Sequence, residues 1–234
     1  MGILAPIAGL LFVMTCAQGA SLLFHPWTGD DNQKSRATYA WRDSKPTTLG
    51  WNPAQGFCHG LETPKYKVVK KTADYEQRSY YQESRWISAN MTGTCYDTTE
   101  LLLYTKLFLY YHGWNMQRQR LNMTCPVVGG ITGGTLPTDP FNYQIFFYLS
   151  PKIKAPPAPI DPSIFVHVDK PSNVYVSSFP GFATEDKFSK EASKLLAALQ
   201  KAKIKVYTKT YFVAGYDAPY RLHHRHNEVW FVAE

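Results

Sequence analysis

Apolar and polar residues alternate with a period of two along several short stretches, and this pattern predicts β-strands. Most of the stretches are bounded by Gly, Pro, Asp or Asn, which favour turns. Strands are predicted at residues 66–70, 75–88, 120–128, 143–149, 164–168, 174–179, 207–216 and 228–233. Strands of this number and length predict an extensive antiparallel sheet.

The first helix is predicted after the strand at residues 75–88, and it is apolar on nearly every side. Asp97 and Glu100 have the spacing of a capping box, and the helix runs through Tyr111 to a stop at Gly113. A helix lying on a sheet needs one apolar face. The surplus must therefore be covered by the N-terminal arm, by an apolar ligand or by a partner protein.

The second helix has a single apolar stripe. Thr184 is its predicted cap, and Glu185 and Asp186 lie in its first turn, where acidic groups are favourable. The helix extends over Glu185–Lys203, with Lys and Ser opposite the apolar stripe. Its length and its single stripe predict a helix that packs on one face of the sheet.

The order strand, strand, helix, strand, strand occurs twice, on either side of the stiff spacer Ala155–Pro159. This repetition predicts a structural duplication. The layer rules then favour an α+β fold in which two helices lie across a curved antiparallel sheet.

The N-terminal residues have the composition of a secretory signal peptide. Residues 2–19 are almost uninterrupted apolar or small, with small residues at Ala17, Gly19 and Ala20 that suit cleavage. We therefore predict a signal peptide at residues 1–20 and a secreted, extracellular chain with no membrane span after cleavage. An uncleaved membrane anchor is the competing interpretation, since the run is barely long enough to span a bilayer.

The remainder divides into an arm and a domain. Residues 21–63 are rich in Asp, Gly, Pro, Thr and Trp without a sustained period, and they are predicted to form an extended arm before a domain at residues 64–234. Two Asn-x-Thr sequons begin at Asn90 and Asn122. Both are predicted glycosylation sites in a secreted chain.

Removal of the leader would leave three cysteines, Cys58, Cys95 and Cys125. An odd number outside the cell implies a free thiol or an intermolecular bridge, so a disulfide-linked dimer is possible. The sequence does not choose among the three pairings, and no Cys-x-x-Cys spacing supports a metal site.

The formal net charge is +7, with lysines clustered at residues 65–71 and 201–209. Such a surface attracts anions such as propionates, acidic glycans or lipid headgroups. Carboxylates are interspersed among the cations, and the chain is predicted to be secreted. We therefore do not expect a nucleic-acid partner.

The stretch from Ala214 to Trp230 resembles the C-terminal signature of the SOUL family of haem-binding proteins. It reads Ala-Gly-Tyr-Asp-x-Pro, a short loop, then Arg-x-Asn-Glu-Val-Trp. Further matches, over roughly residues 64–233, are Tyr75-Glu76-x-Arg78-x-Tyr80, Trp86-Ile87-Ser88, Met123-Thr124-x-Pro126-Val127 and Pro156-Pro157-x-Pro159 with the strand at 174–182. The resemblance implies a distorted antiparallel β-barrel with two helices and duplicated βαββ-type halves.

The resemblance also implies a ligand and a place for it. Members of the family bind haem in a shallow apolar groove beside the first helix. The groove would bind haem, a related tetrapyrrole or another hydrophobic anion. Its expected lining is Leu102, Leu103, Lys106, Leu109, Tyr110 and Met123.

This chain departs from the family pattern where polar anchors would stand. Leu101 and Leu109 replace basic residues of some relatives, and Ser79 stands where some carry a histidine proposed to bind iron. Haem would then bind weakly or use another axial ligand, such as His112. The competing interpretation places His112 at the helix end, where it interacts with the helix dipole.

Catalysis and metal binding have weaker support. His224 and His226 could hold a metal, but no further ligand is evident, so a basic surface loop is preferred and no metal is expected. Glu228 is expected to point inward near Arg225, and a buried carboxylate can serve as a base. No nucleophile motif accompanies it. The sequence therefore predicts a binding protein rather than an enzyme.

The alternative is an extracellular interaction protein that binds a protein or glycan partner through the apolar helix and basic face, without haem.

Overall fold

A computed structural model of the protein describes residues 56–133, 140–218 and 220–234. The predicted leader and all but the last eight residues of the predicted arm lie outside the described residues. Nine strands and two helices follow one another in these ranges. They are β1 (Lys67–Lys71), β2 (Glu76–Tyr80), β3 (Ser84–Gly93), α1 (Tyr96–Tyr111), β4 (Val127–Thr132), β5 (Phe141–Leu149), β6 (Ile164–Asp169), β7 (Ser172–Pro180), α2 (Glu185–Lys201), β8 (Thr210–Gly215) and β9 (His226–Val232). The predicted α+β class is confirmed.

All nine strands belong to one curled antiparallel sheet, in the order β1-β2-β7-β9-β8-β4-β5-β3-β6. The strand order shows how the two halves interlock. Strand β2 of the first half pairs with β7 of the second, and β6 of the second half pairs with β3 of the first. The two halves meet at the centre through β4 and β8, where Gly129 is opposite Val213. The first half thus contributes the β1–β2 pair to the second, and the second half contributes edge strand β6 to the first.

The two faces of the sheet have different neighbours because successive side chains of a strand point to opposite faces. One face packs against both helices through Leu103, Leu107, Leu195 and Leu199, all 0–1% exposed. The strand residues in this core are mainly the odd-numbered ones of β3, β4, β5, β8 and β9. They include Ile87, Ile131, Ile145, Phe147, Val213, Val229 and Phe231. The even-numbered residues form a second cluster on the opposite face, with Trp86, Val128, Phe146, Ala214 and Trp230.

The predicted capping box of α1 is wrong. The N-cap is Cys95, two residues before Asp97, and it makes no side-chain cap hydrogen bond. Thr99 donates its hydroxyl to the Cys95 carbonyl oxygen at 2.7 Å. The end of α1 matches the prediction more closely, since the helix ends at Tyr111 and Gly113 adopts a φ of +98°.

Helix α2 follows its prediction closely. Thr184 is the N-cap, though without a side-chain cap bond, and Glu185 and Asp186 lie in the first turn. The buried stripe consists of Phe188, Ala192, Leu195 and Leu199. The helix ends at Lys201 rather than Lys203, which adopts a φ of +56° that an α-helix cannot continue.

The strand predicted at residues 120–128 is wrong over most of its length. Residues 120–126 form a connection tied by hydrogen bonds from Leu121 N to Tyr111 O and from Cys125 N to Glu62 O, and β4 starts at Val127. The strand then continues past its predicted end at residue 128, through Gly129 and Gly130 to Thr132. No helix among the described residues is long and apolar enough to cross a membrane.

Candidate functional site

Two of the predicted groove residues, Leu103 and Tyr110, lie on the buried side of α1. Leu103 is 0% exposed and Tyr110 is 1% exposed. The Tyr110 hydroxyl donates to the Pro157 carbonyl oxygen at 2.6 Å. Both side chains belong to the core between the helix and the sheet.

The other predicted apolar residues lie nearer the surface. Leu102 is 49% exposed, and Leu109 is half-buried on the same side of the helix. Met123 is half-buried and packs against the helix-side core. The predicted set is therefore divided between the buried and the outer sides of α1.

Lys106 is already engaged by neighbouring acceptors. Its ammonium group lies 3.1 Å from Asp161 Oδ2 and 2.9 Å from Ser163 Oγ. Hydrogen bonds from the Ser163 hydroxyl and backbone N–H, with a smaller contribution from Lys106, lower the pKa of Asp161. A ligand carboxylate would have to compete with Asp161 for this cation.

His112 has the geometry of a nitrogen ligand. Its Nδ1 lies 2.8 Å from the Phe108 carbonyl oxygen, which can only accept, so the hydrogen is on Nδ1. The other ring nitrogen, Nε2, then carries a lone pair, and no described residue occupies it. The ring stacks on Phe108 with centroids 3.9 Å apart, which fixes its orientation.

Exposed apolar side chains lie on the outer side of α1, whose C-cap is His112, and in the loop that follows. Leu101, Leu102, Trp114 and Met116 are 42–67% exposed. Two arginines flank them: the Arg118 guanidinium lies 5.7 Å from the Trp114 ring, and Arg120 pairs with His112 through the backbone. We call this region the α1 surface; it comprises Leu101, Leu102, Phe108, Leu109, His112, Trp114, Met116, Arg118 and Arg120.

The Glu228 carboxylate lies at the centre of a buried polar network on the other face of the sheet. It accepts two hydrogen bonds from Arg78, at 2.7 and 2.8 Å, and further bonds from the Tyr216 hydroxyl, Trp230 Nε1 and His226 Nε2 at 2.7–2.8 Å. Burial opposes ionisation of this carboxyl, but Arg78 and then His226 outweigh it and lower its pKa to about 2. A carboxylate so fully engaged is a structural ion pair rather than a base.

The expected partner of Glu228 was wrong. Arg225 donates instead to the carbonyl oxygens of Ala218 and Arg221, at 2.9 and 2.8 Å. Arg78, from the predicted strand at residues 75–88, pairs with Glu228 across 150 positions of sequence. The sequence signal that could have identified the pair is an arginine between the aromatic residues Tyr75 and Tyr80 of a predicted strand.

Of the histidines at residues 223, 224 and 226, His226 has a structural role. His226 is bonded to Glu228 and stacks on Phe57 with centroids 3.9 Å apart, while His223 and His224 are exposed. Within the described ranges, no group of three or more His, Cys, Asp or Glu is arranged to hold a metal ion.

Two of the cysteines lie together inside the protein. Cys58 and Cys125 are buried free thiols, and burial followed by contact with Cys58 raises the pKa of Cys125. Neither is accessible for a bridge between two copies of the chain. Both sequon residues, Asn90 and Asn122, are exposed.

A cavity of about 460 Å³ occupies the sheet face opposite the helices. Sequence reasoning missed it, although a signal was present in β5. Phe146 and Phe147 are consecutive and both buried, which in a strand means that both faces are covered. The cavity is lined by residues of β2 to β9, so eight of the nine strands form it.

Comparison with known proteins follows from this geometry. A family model described as SOUL heme-binding protein matches residues 61–232. The chain is 30% identical over 178 residues to "Heme-binding protein 2" of Homo sapiens, covering 74% of this chain and 86% of that protein. It is 28% identical over 178 residues to "Heme-binding protein 1" of Xenopus tropicalis, covering 74% and 93%.

One solved structure supports the fold and nothing beyond it. A cryo-EM structure of an EcmrR–DNA complex aligns with a TM-score of 0.52 at 10% identity, covering 72% of this chain and 58% of that chain. The crystal structure of the EcmrR C-terminal domain aligns with a TM-score of 0.49 at 9% identity, covering 72% and 98%.

Proposed function

The chain belongs to the SOUL family of haem-binding proteins, and we propose that it binds haem or a related tetrapyrrole on the α1 surface. The observation that carries the site is the imidazole of His112. Its Nδ1–H donates to the Phe108 carbonyl oxygen, so that Nε2 is the lone-pair donor of the neutral ring, and exposed apolar side chains lie along the same outer side of the helix. A backbone carbonyl commonly orients a metal-binding histidine in this way.

The residues present fit the chemistry of a haem. A neutral imidazole nitrogen is a common axial donor to haem iron. Leu102, Leu109 and Trp114 offer apolar contact to a macrocycle, and Arg118 and Arg120 offer cations to its propionates. Iron would supply the ligand-binding chemistry, while these residues would hold and orient the macrocycle. Because the surface is open and Lys106 is held by Asp161, we expect weak binding.

The location of the site can be tested with a charge placed on the α1 surface. Leu102→Glu removes apolar contact and repels propionates, so the Kd for haemin should rise roughly tenfold, equivalent to about 1.4 kcal/mol. The matched control is Leu222→Glu, which alters a side chain that is 65% exposed in the loop before β9. Equal haemin affinity in both variants, measured by the Soret change, would exclude the α1 surface.

Secretion and glycosylation belong to the same proposal. The apolar leader and the exposed sequon residues Asn90 and Asn122 support export. Expression of the full chain in a secretory cell should then deliver it to the medium. It should carry glycans that an amidase removes and that Asn90→Gln and Asn122→Gln each reduce. Retention of an unglycosylated chain inside the cell would contradict the proposal.

An extracellular protein or acidic glycan partner is the second candidate function. It is favoured by edge strand β1, whose five residues are all exposed and include Lys67, Lys70 and Lys71. This candidate predicts capture of an acidic glycan such as heparin at physiological salt, weakened by a triple Lys→Glu substitution in β1. Haemin affinity would be unchanged by the same substitution.

A further inference from the structure

The sheet face opposite the helices carries an open cavity of about 460 Å³ that takes no part in the proposed haem site. Pairing places the α1 surface and this cavity on opposite sides of the sheet. In β5, for example, Phe147 packs toward α1 while Phe146 lines the cavity. A molecule in the cavity therefore touches none of the α1 surface.

Aromatic rings form the walls. Trp86, Phe146, Phe212 and Trp230 all line the cavity. Gly130 lies between two of the rings, and a Cβ there would be 3.2 Å from Phe212 and 3.3 Å from Phe146. The absence of a side chain at this position lets both rings approach the floor of the cavity.

The indole N–H groups of the walls are already bonded. Trp86 Nε1 donates to Ser84 Oγ at 3.1 Å, and Trp230 Nε1 donates to Glu228 Oε2 at 2.8 Å. The two indoles can therefore contact a ligand through their ring surfaces. Such surfaces favour flat unsaturated molecules, which can stack on them or meet them edge to face.

The charged residues that line the cavity offset one another. Of the described lining residues, Asp169 carries the one carboxylate, and it lies 3.0 Å from His167 Nε2. Lys170 adds a cation next to this pair. Asn142 and Gln144 supply neutral amides, and the Thr132 and Thr210 hydroxyls bond each other at 2.8 Å. The lining therefore offers hydrogen bonds without a deep charge for an ionic ligand.

We infer that this cavity is a second ligand site, which takes a flat, uncharged aromatic molecule carrying a hydrogen-bonding group. A volume of about 460 Å³ is within the range of pockets that enclose small organic molecules. The combination of apolar walls and a few neutral polar groups is typical of such pockets. The site is independent of haem binding.

The test uses N-phenyl-1-naphthylamine, a neutral flat fluorophore, and the full mature protein. We expect a saturable one-to-one rise in its emission, with energy transfer from tryptophan because Trp86 and Trp230 line the cavity. Phe212→Ala removes a wall and should weaken binding roughly tenfold. Ser172→Trp, at a half-buried lining position, should fill the space and abolish the saturable signal. Circular dichroism and thermal melting of each variant establish that it is folded.

The matched control is Trp114→Ala, which removes an exposed aromatic ring from the α1 surface and should leave probe affinity unchanged. The affinity for haemin should be the same with and without the probe. This comparison holds whether haemin binds strongly or weakly. The inference is overturned if the wild-type protein gives no saturable signal. It is equally overturned if folded Phe212→Ala and Ser172→Trp bind the probe as wild type does, or if Trp114→Ala or haemin abolishes the binding.

Discussion

At the residue scale, the Arg78–Glu228 pair connects the first and the last parts of the described chain. Arg78 is on β2 and Glu228 on β9, and both pair with β7 between them. The pair is 3% and 0% exposed, and Glu76 adds a further bond to Arg78 Nε at 2.6 Å. Two buried charges cost free energy unless every hydrogen-bonding position is filled, as it is around Glu228.

Replacing Glu228 with Gln should destabilise the protein strongly. The substitution removes the fully buried counter-ion of Arg78 and leaves it only the partly exposed Glu76, and breaking a buried pair in this way typically costs about 3–5 kcal/mol. Denaturant unfolding measures this loss. The control is Glu191→Gln, which breaks an exposed pair with Lys194 and should cost at most about 1 kcal/mol. Similar unfolding midpoints for the two variants would show that the buried pair does not stabilise the fold.

The same pair predicts a pH dependence. The pKa of Glu228 is lowered to about 2 in the folded protein, against about 4.3 for an unperturbed glutamate. Its stabilising contribution is fully present above the unfolded pKa, because the folded state then holds the charged form that Arg78 favours. It is lost as the pH falls through the folded value, because the unfolded chain takes up the proton first.

The difference in unfolding free energy between wild type and Glu228→Gln should therefore shrink from about pH 5 toward pH 2. Other carboxyl groups are common to both proteins and cancel in this difference. A difference that stayed constant over the whole range would mean that Arg78 does not lower the pKa of Glu228 in the folded state.

At the element scale, the two helices show why prediction from the sequence succeeded in one case and failed in another. Helix α2 has a single stripe of apolar residues against lysines and serines, so its position and its buried face were both predictable. Helix α1 has apolar residues on both sides, and Leu102 and Leu103 give no local indication of which is buried. Only the contact with β3 and β5 decides that Leu103 is inside.

The start of α1 also depends on a contact that local sequence signals do not reveal. A Cβ at Gly93 would lie 2.3 Å from the Thr99 hydroxyl, which is buried and held by the Cys95 carbonyl. The last residue of β3 and the first turn of α1 therefore need a glycine to approach so closely. The Asp97 and Glu100 pattern carries no information about this packing.

Gly93→Ala should consequently lower the free energy of unfolding by about 1–3 kcal/mol, the usual cost of overpacking a close contact. Thermal melting checks this, with Gly56→Ala as the control because nothing lies within 4 Å of its added Cβ. Combining Gly93→Ala with Thr99→Ala should cost less than the sum of the two single substitutions, since the clashing hydroxyl is gone. Strict additivity would place the origin of the loss elsewhere.

At the scale of the whole molecule, the exchange of strands between the two halves makes them one sheet. The sequence predicted the duplication and the curved sheet, because strand and helix patterns recur in the same order. It could not predict that β2 joins β7 or that β6 joins β3, since such pairings depend on register over about a hundred residues. The cavity follows from these same pairings, so it too was beyond the local patterns.

The whole fold also separates two surfaces of different chemistry. Helix α1 presents an open apolar surface with an imidazole nitrogen and flanking arginines. The sheet carries a cavity with aromatic walls and neutral polar groups. The family resemblance pointed to α1 as the helix beside the ligand. It could not indicate which of Leu102, Leu103, Leu109 and Tyr110 face outward, because that depends on packing against the sheet.

The most direct test of the account is a haemin titration of the purified mature protein and of His112→Ala, followed by absorption and electron paramagnetic resonance. The account predicts a saturable one-to-one Soret shift for the wild type, with spectra of histidine-ligated iron. His112→Ala should bind more weakly and lose those spectra, and added imidazole should restore them. A non-saturating response of the wild type, or unchanged spectra in a folded His112→Ala variant, would contradict the proposed site.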